Sequence, residues 1–180
     1  LQLEAGEQAL DESPAEVTGH LERAKSLARE SLQEARRSVW NLLPHALEEL
    51  SLEDALREEV NRFAGESQEK ASFNLLGRPS VLSSEVQTAL LRICQESLTN
   101  VRKHAAATEV SVTLTFHPDS VDLDVKDNGK GFDPGRPYEA GVQGGFGLTG
   151  MEQRARSLGG SLAVESQKGE GTLVEVKMPK

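Results

Sequence analysis

Two glycine clusters close to one another constrain this chain most: Asp127-Asn128-Gly129-Lys130-Gly131-Phe132-Asp133 and Gly144-Gly145-Phe146-Gly147-Leu148-Thr149-Gly150-Met151. A backbone without Cβ turns through positive φ and lets a ligand approach closely. Two such clusters flanking one loop, between a β-hairpin and a helix, therefore predict a mobile cover over a phosphorylated ligand. The spacing excludes the two commonest phosphate loops. No Gly-x-x-x-x-Gly-Lys-Ser/Thr occurs, and Gly145-Phe146-Gly147-Leu148-Thr149-Gly150 follows a polar loop where a dinucleotide fingerprint needs a buried strand.

A helix upstream supplies a third element. Between Ser83 and His104 the apolar residues Val86, Leu90, Ile93, Cys94, Leu98 and Val101, with Ser97, recur at three-to-four spacing, which buries one stripe. Glu96, Asn100, Lys103 and His104 fall together on another face. A carboxylate, an amide oxygen, an ammonium and an imidazole could hold hydrated magnesium and a polyphosphate. A solvated helix face would show the same pattern.

Charge narrows the partners. The formal net charge of −9 argues against nucleic acid, and it means that a nucleotide needs local donors and a counter-cation. No long apolar run or secretory leader is present, so the expected setting is cytoplasmic, with a parent protein free to be membrane-anchored. Cys94, the single cysteine, lies on the apolar stripe, where an inert buried thiol is expected.

The pattern divides near Pro44. Residues 1–10 read as helix, Asp11-Glu12-Ser13-Pro14 as a turn, and Ala15 to Leu43 as a second helix with Val17, Leu21, Leu27, Leu32 and Val39 on one stripe. Two such helices leave an apolar face that a second copy would cover as a four-helix bundle, so a homodimer through residues 1–44 is expected; a hairpin folded back on its own domain would cover that face too. Residues 45–180 read as an α+β two-layer sandwich. Ser51-Leu52-Glu53-Asp54 caps a helix running to about Ser67, and Ala71 to Leu76 reads as a strand. Val110, Val112, Leu114, Phe116 and Val121, Leu123, Val125 alternate as a hairpin, and Ser161–Glu165 with Thr172–Met178 form a last one. Asp133 to Gln143 reads as a lid.

Taken together, these elements resemble the ATP-binding domain of sensor histidine kinases, in the superfamily that also holds gyrase, MutL and the Hsp-type chaperones. Gln95-Glu96-Ser97-Leu98-Thr99-Asn100-Val101-Arg102-Lys103-His104-Ala105 is similar to the family's asparagine box, and Asp127 to Phe132 to its first glycine box. Gly145 to Ala155 is similar to the second, in the form used by the nitrate-sensor and desaturase-thermosensor subfamily. Gly171-Thr172 matches the threonine of the final strands.

The resemblance implies a Bergerat-type fold and ATP with Mg²⁺ as ligands. Asp127 would accept the adenine amino hydrogen, with Gly129, Gly131 and Thr172 around the base. Asn100 would bind Mg²⁺, and Glu96 would orient a ligand water or help deprotonate the attacking group. Lys103 and His104 would face phosphate, while Gly145, Gly147, Leu148 and Gly150 would open a helix towards the β- and γ-phosphates. It also implies phosphoryl transfer to a histidine and then to a response-regulator aspartate. None of His20, His45, His104 and His117 has the acceptor's His-Asp or His-Glu setting, so the acceptor is expected upstream of Leu1, in a chain that reads as an excised piece. The rival readings are an ATPase or serine kinase of the same superfamily, and a nucleotide-binding or dimerising module without transfer activity.

Overall fold

The computed structural model describes residues 47, 50–66, 69–133 and 146–180 of a chain that divides into two units, Leu1–Leu43 and Pro44–Lys180. The expected helical hairpin, almost all of the expected lid, and Gly144 and Gly145 lie outside the described residues.

Helix α1, Leu52–Glu66, starts where the sequence places a cap. The Asp54 N–H donates to Ser51 Oγ at 3.2 Å, and that hydroxyl donates back to the Asp54 carboxylate at 2.9 Å. Leu52, Ala55, Leu56, Val60 and Phe63 form its buried stripe. Strand β1, Lys70–Leu76, follows and then helix α2, Ser84–Asn100, whose first turn is capped by Ser83 Oγ accepting from the Val86 N–H at 3.3 Å. All seven residues read as the inward stripe of this helix are buried, Cys94 fully so. Burial, with the charge of Glu59 adding to it, pushes the Cys94 thiol far above its ordinary range.

One expectation fails here. The α-helix does not run to His104: it stops at Asn100, and Val101–Ala105 make a π-helical turn closed by Ala106 at a left-handed φ of 50°. The turn widens where the Ala105 carbonyl accepts the Lys130 N–H at 2.8 Å, a tertiary bond that hydrophobic spacing cannot signal.

Strands β2 (Glu109–Phe116) and β3 (Ser120–Asp127) form the first hairpin. Helix α3 (Phe146–Ser157) leads into the second, β4 (Ser161–Gln167) and β5 (Gly171–Pro179). The sheet order is β1-β2-β3-β5-β4, with β1 parallel to β2 and every other pair antiparallel. The parallel pair requires a crossover, which α2 supplies. Register aligns Val112, Val125, Val174 and Val164 in one row across four strands, and Leu114, Leu123, Val176 and Leu162 in the next. These side chains share one face, and all three helices pack on it, giving the expected two-layer α+β sandwich.

The other face is polar and open, and it carries a like-charge pair. Asp124 and Glu175 stand directly opposite each other on β3 and β5. Partial burial holds the Asp124 carboxyl above its usual range, Asp122 adds to this, and His117 opposes it. Burial likewise raises the Glu175 carboxyl, helped by Asp124, Glu165 and Asp122. Because both groups hold a proton more tightly in the folded chain, their contribution to stability is complete below the unfolded carboxylate values. It is lost as pH rises through the raised folded ones. Glu175→Gln should therefore stabilise the domain at pH 7 by up to about 1 kcal/mol. Urea midpoints should show that gain shrinking as pH falls towards 4, and a gain that is constant with pH would refute this account.

Candidate functional site

Strand β3 ends at Asp127, which is only 5% exposed. Its Oδ1 accepts the Gly129 N–H at 2.7 Å, and the backbone N–H and hydroxyl of Thr172, its partner across the sheet, also donate to the carboxylate. Burial pushes this carboxyl up in pKa, and the bonds from Gly129 and Thr172 pull it back. The result is a buried acceptor held by Gly129 and Thr172. An oxygen so held suits an N–H donor and rejects a carbonyl.

The loop after Asp127 is stitched on two sides. Towards β4 and β5, Gly131 has φ +55° and Gly171 φ +85°. A Cβ on Gly131 would overlap the Gln167 carbonyl, and one on Gly171 would overlap the Asp127 carbonyl. Towards the π-turn, Gly129 lies against the Ala105 backbone and Lys130 bonds to it.

Two residues not singled out from sequence complete the stitching. The Asn128 amide oxygen accepts from the N–H groups of Thr108 and Glu109 at 2.9 and 3.0 Å, and its nitrogen donates to Thr108 Oγ1 at 2.9 Å. Ser166 Oγ accepts from the Phe132 N–H at 2.9 Å, donates to the Gly171 carbonyl at 2.9 Å and lies 3.1 Å from Thr172 Oγ1. A serine in a strand of alternating pattern gives no sign of this. The cross-strand pairing Ser166↔Thr172 does, once the register is known.

The second half of the site lies between α2 and α3. Glu96 and Asn100, one helical turn apart, are both half-buried. Gly147 packs against them: a Cβ there would stand 2.5 Å from Glu96 Oε1 and 3.5 Å from Asn100 Nδ2. Ser97 Oγ, 3.5 Å from Met151 Sδ, marks the next contact along the same pair of helices. Lys103 and His104 sit exposed on the π-turn. The stitched loop and this helix face thus meet through Ala105, Gly129 and Lys130.

The glycines of the second cluster differ in role. The N–H groups of the first turn of a helix have no partner within it, so Phe146, Gly147 and Leu148 can offer amides to an anion. Leu148 packs its side chain against the core and has only its backbone to offer. Gly150 is corrected here. It lies in the second turn, where its amide belongs to the helix's own ladder, and nothing stands within 4 Å of where its Cβ would be. Gly145 is outside the described residues. Accordingly, Gly171→Ala should lower stability by at least about 1–2 kcal/mol, since it demands a left-handed non-glycine residue against backbone. Gly150→Ala should raise it by about 0.5–1 kcal/mol. Urea denaturation of both variants tests the distinction.

Among the described residues no three His, Cys, Asp or Glu side chains converge as a metal cage. A cation here would rest on the Asn100 amide oxygen, with ligand oxygens and water filling the remaining positions. Magnesium accepts that pattern readily.

Comparison with known proteins agrees with this geometry. Residues 85–180 match the family described as histidine kinase-, DNA gyrase B-, and HSP90-like ATPase, and residues 1–47 match a family described as histidine kinase. The signal transduction histidine-protein kinase/phosphatase DegS of Brevibacillus brevis is 32% identical over 169 residues, covering 94% of this chain and 43% of that protein. UhpB of Salmonella typhimurium is 35% identical over 146 residues, covering 80% and 28%. The chain thus spans less than half the length of these relatives. Among solved structures, the histidine kinase domain of the Erythrobacter litoralis blue-light activated kinase aligns with a TM-score of 0.59 at 21% identity, covering 72% of this chain and 61% of that one. Full-length ShkA in complex with AMPPNP aligns at 0.60 with 24% identity, covering 72% and 30%. With more than half of its length matched, the chain belongs to the histidine kinase-, DNA gyrase B- and HSP90-like ATPase family.

Proposed function

We propose that this chain is the ATP-binding catalytic region of a dimeric two-component sensor histidine kinase. It transfers the γ-phosphoryl group of ATP to a histidine outside residues 1–180, from which a response-regulator aspartate receives it. The observation that carries the reading is Asp127. It is a buried carboxylate held by Gly129 and Thr172, an acceptor of the kind that suits the adenine amino group, and its loop is joined through Ala105 to the helix that bears Glu96 and Asn100.

Each group then has a task. Asp127 takes the adenine N–H, and Thr172 and Ser166 keep its oxygen aimed. The first-turn amides of α3 receive phosphate oxygens, and the exposed Lys103 and His104 add positive or donor character at the phosphate end. Asn100 offers an amide oxygen to magnesium, which when bound neutralises phosphate charge. Glu96 accepts the proton that the attacking imidazole must shed as its nitrogen bonds to the γ-phosphorus and ADP leaves. Phosphoryl transfer depends on placement and charge neutralisation more than on covalent help, and this set of amides and polar side chains provides both.

Residues 1–180 alone should bind ATP yet form no stable phosphoprotein on His20, His45, His104 or His117, because transfer needs in-line placement at near contact. Restoring the upstream helix should yield a product labile to acid and stable to base, as a phosphoramidate is. Radiolabel from γ-labelled ATP appearing in acid-labile form on residues 1–180 alone would refute an acceptor outside them. A chain with the upstream helix that hydrolyses ATP without ever becoming labelled would favour the ATPase reading.

A further inference from the structure

Resting on the reading of Asp127 as the adenine acceptor, we propose that Asn128 is a positioning residue for nucleotide selection: its side-chain amide holds the Asp127 carboxylate in place by tying the loop that follows to the neighbouring strand. The register sets Asp127 opposite Val110, so residue 128 arrives beside the start of β2. There its own N–H donates to the Glu109 carbonyl at 3.2 Å. Its amide oxygen accepts from the N–H groups of Thr108 and Glu109, filling both lone pairs, and its nitrogen donates to Thr108 Oγ1. A single residue thus bonds two successive neighbours through main chain and side chain alike. The anchor is itself held, because the Thr108 carbonyl accepts the Lys70 N–H at 2.9 Å where β1 begins to pair with β2.

Placement explains why this clamp bears on selection more than on stability. Asn128 and Thr108 are exposed, so water would satisfy the same groups if the clamp were lost, and each bond contributes little net free energy. Its geometry is what water cannot replace. Asp127 is buried one residue before Asn128, and the Gly129 N–H that aims its Oδ1 comes one residue after. Residue 128 therefore stands between the carboxylate and its donor, and fixing it fixes both. Lys130 ties the far end of the loop to Ala105, while Asn128 ties the near end. A displacement of about 1 Å at residue 127 would spoil a hydrogen bond to a base.

The test measures the ATP and GTP affinities of the full chain of residues 1–180 by titration with magnesium present, alongside stability in urea. Asn128→Ala should weaken ATP binding about 10-fold and narrow the preference for ATP over GTP, as expected for one hydrogen bond lost from alignment. Asn128→Asp should keep ATP affinity within about threefold of the parent, because a carboxylate accepts from the same two N–H groups and the Thr108 hydroxyl can turn to donate. Val121→Ala, in the core at the opposite end of β3, should cost at least as much stability and leave ATP affinity unchanged. The positioning role is overturned if Asn128→Ala binds ATP like the parent while Asp127→Asn does not. It is equally overturned if Val121→Ala weakens ATP binding as much as Asn128→Ala, or if Asn128→Asp recovers nothing. Parental ATP affinity in Asp127→Asn would instead overturn the base assignment on which the proposal stands.

Discussion

Asp127→Asn should abolish the preference for ATP over GTP and remove most of the stabilisation that ATP gives. Gly129 N–H and Thr172 demand an oxygen on the inner side of residue 127, so an asparagine must turn its NH₂ outward, donor against the adenine amino donor. At a ligand concentration a hundredfold above the dissociation constant, binding stabilises the native chain by about 2.7 kcal/mol. For a chain of this size that is a melting shift of about 5–10 °C. The parent should show that shift with ATP and little with GTP, and the variant should show little with either. Equal shifts in the parent with both nucleotides would overturn the base assignment.

Asn100→Ala should have the largest effect on chemistry, lowering phosphoryl transfer more than about 100-fold while leaving adenosine binding nearly intact. The side chain is half-buried beside Gly147, away from the stripe that holds the core, so the fold should survive its loss. On the proposed reading, what disappears is the amide oxygen that would hold magnesium at the phosphate end, and with it most charge neutralisation in transfer. Titrating ATP with and without magnesium should show the metal dependence vanish in the variant. A variant whose titrations match the parent in both conditions would show that the cation is held elsewhere.

The apolar stripe of α2 and the alternation of β2 and β3 were legible because burial imposes a period on a sequence, and each proved buried. Gly131 of the first glycine box and Gly171 of the last hairpin were legible because contact between backbones leaves glycine no substitute. What could not be read rests on pairing. The sheet order, the role of Ser166 and the stitching by Asn128 depend on which strands and loops become neighbours, and no local pattern carries that information. Gly150 shows the opposite error: a motif position was assumed to act as its neighbours do, although one further helical turn puts its amide to other use.

The wide turn at Val101–Ala105 behaves like a single inserted residue in an otherwise regular helix. Deleting one residue from it would restore α-helical winding and leave Glu96 and Asn100, which precede it, in place, while re-aiming Lys103 and His104. The Ala105 carbonyl would then rotate away from the Lys130 N–H, and the base-reading loop would lose its mooring. On the proposed reading, a chain shortened in this way would lose its discrimination between purines before it lost the contribution of Asn100, so the two ends of the site would prove separable, joined by the length of one helical turn.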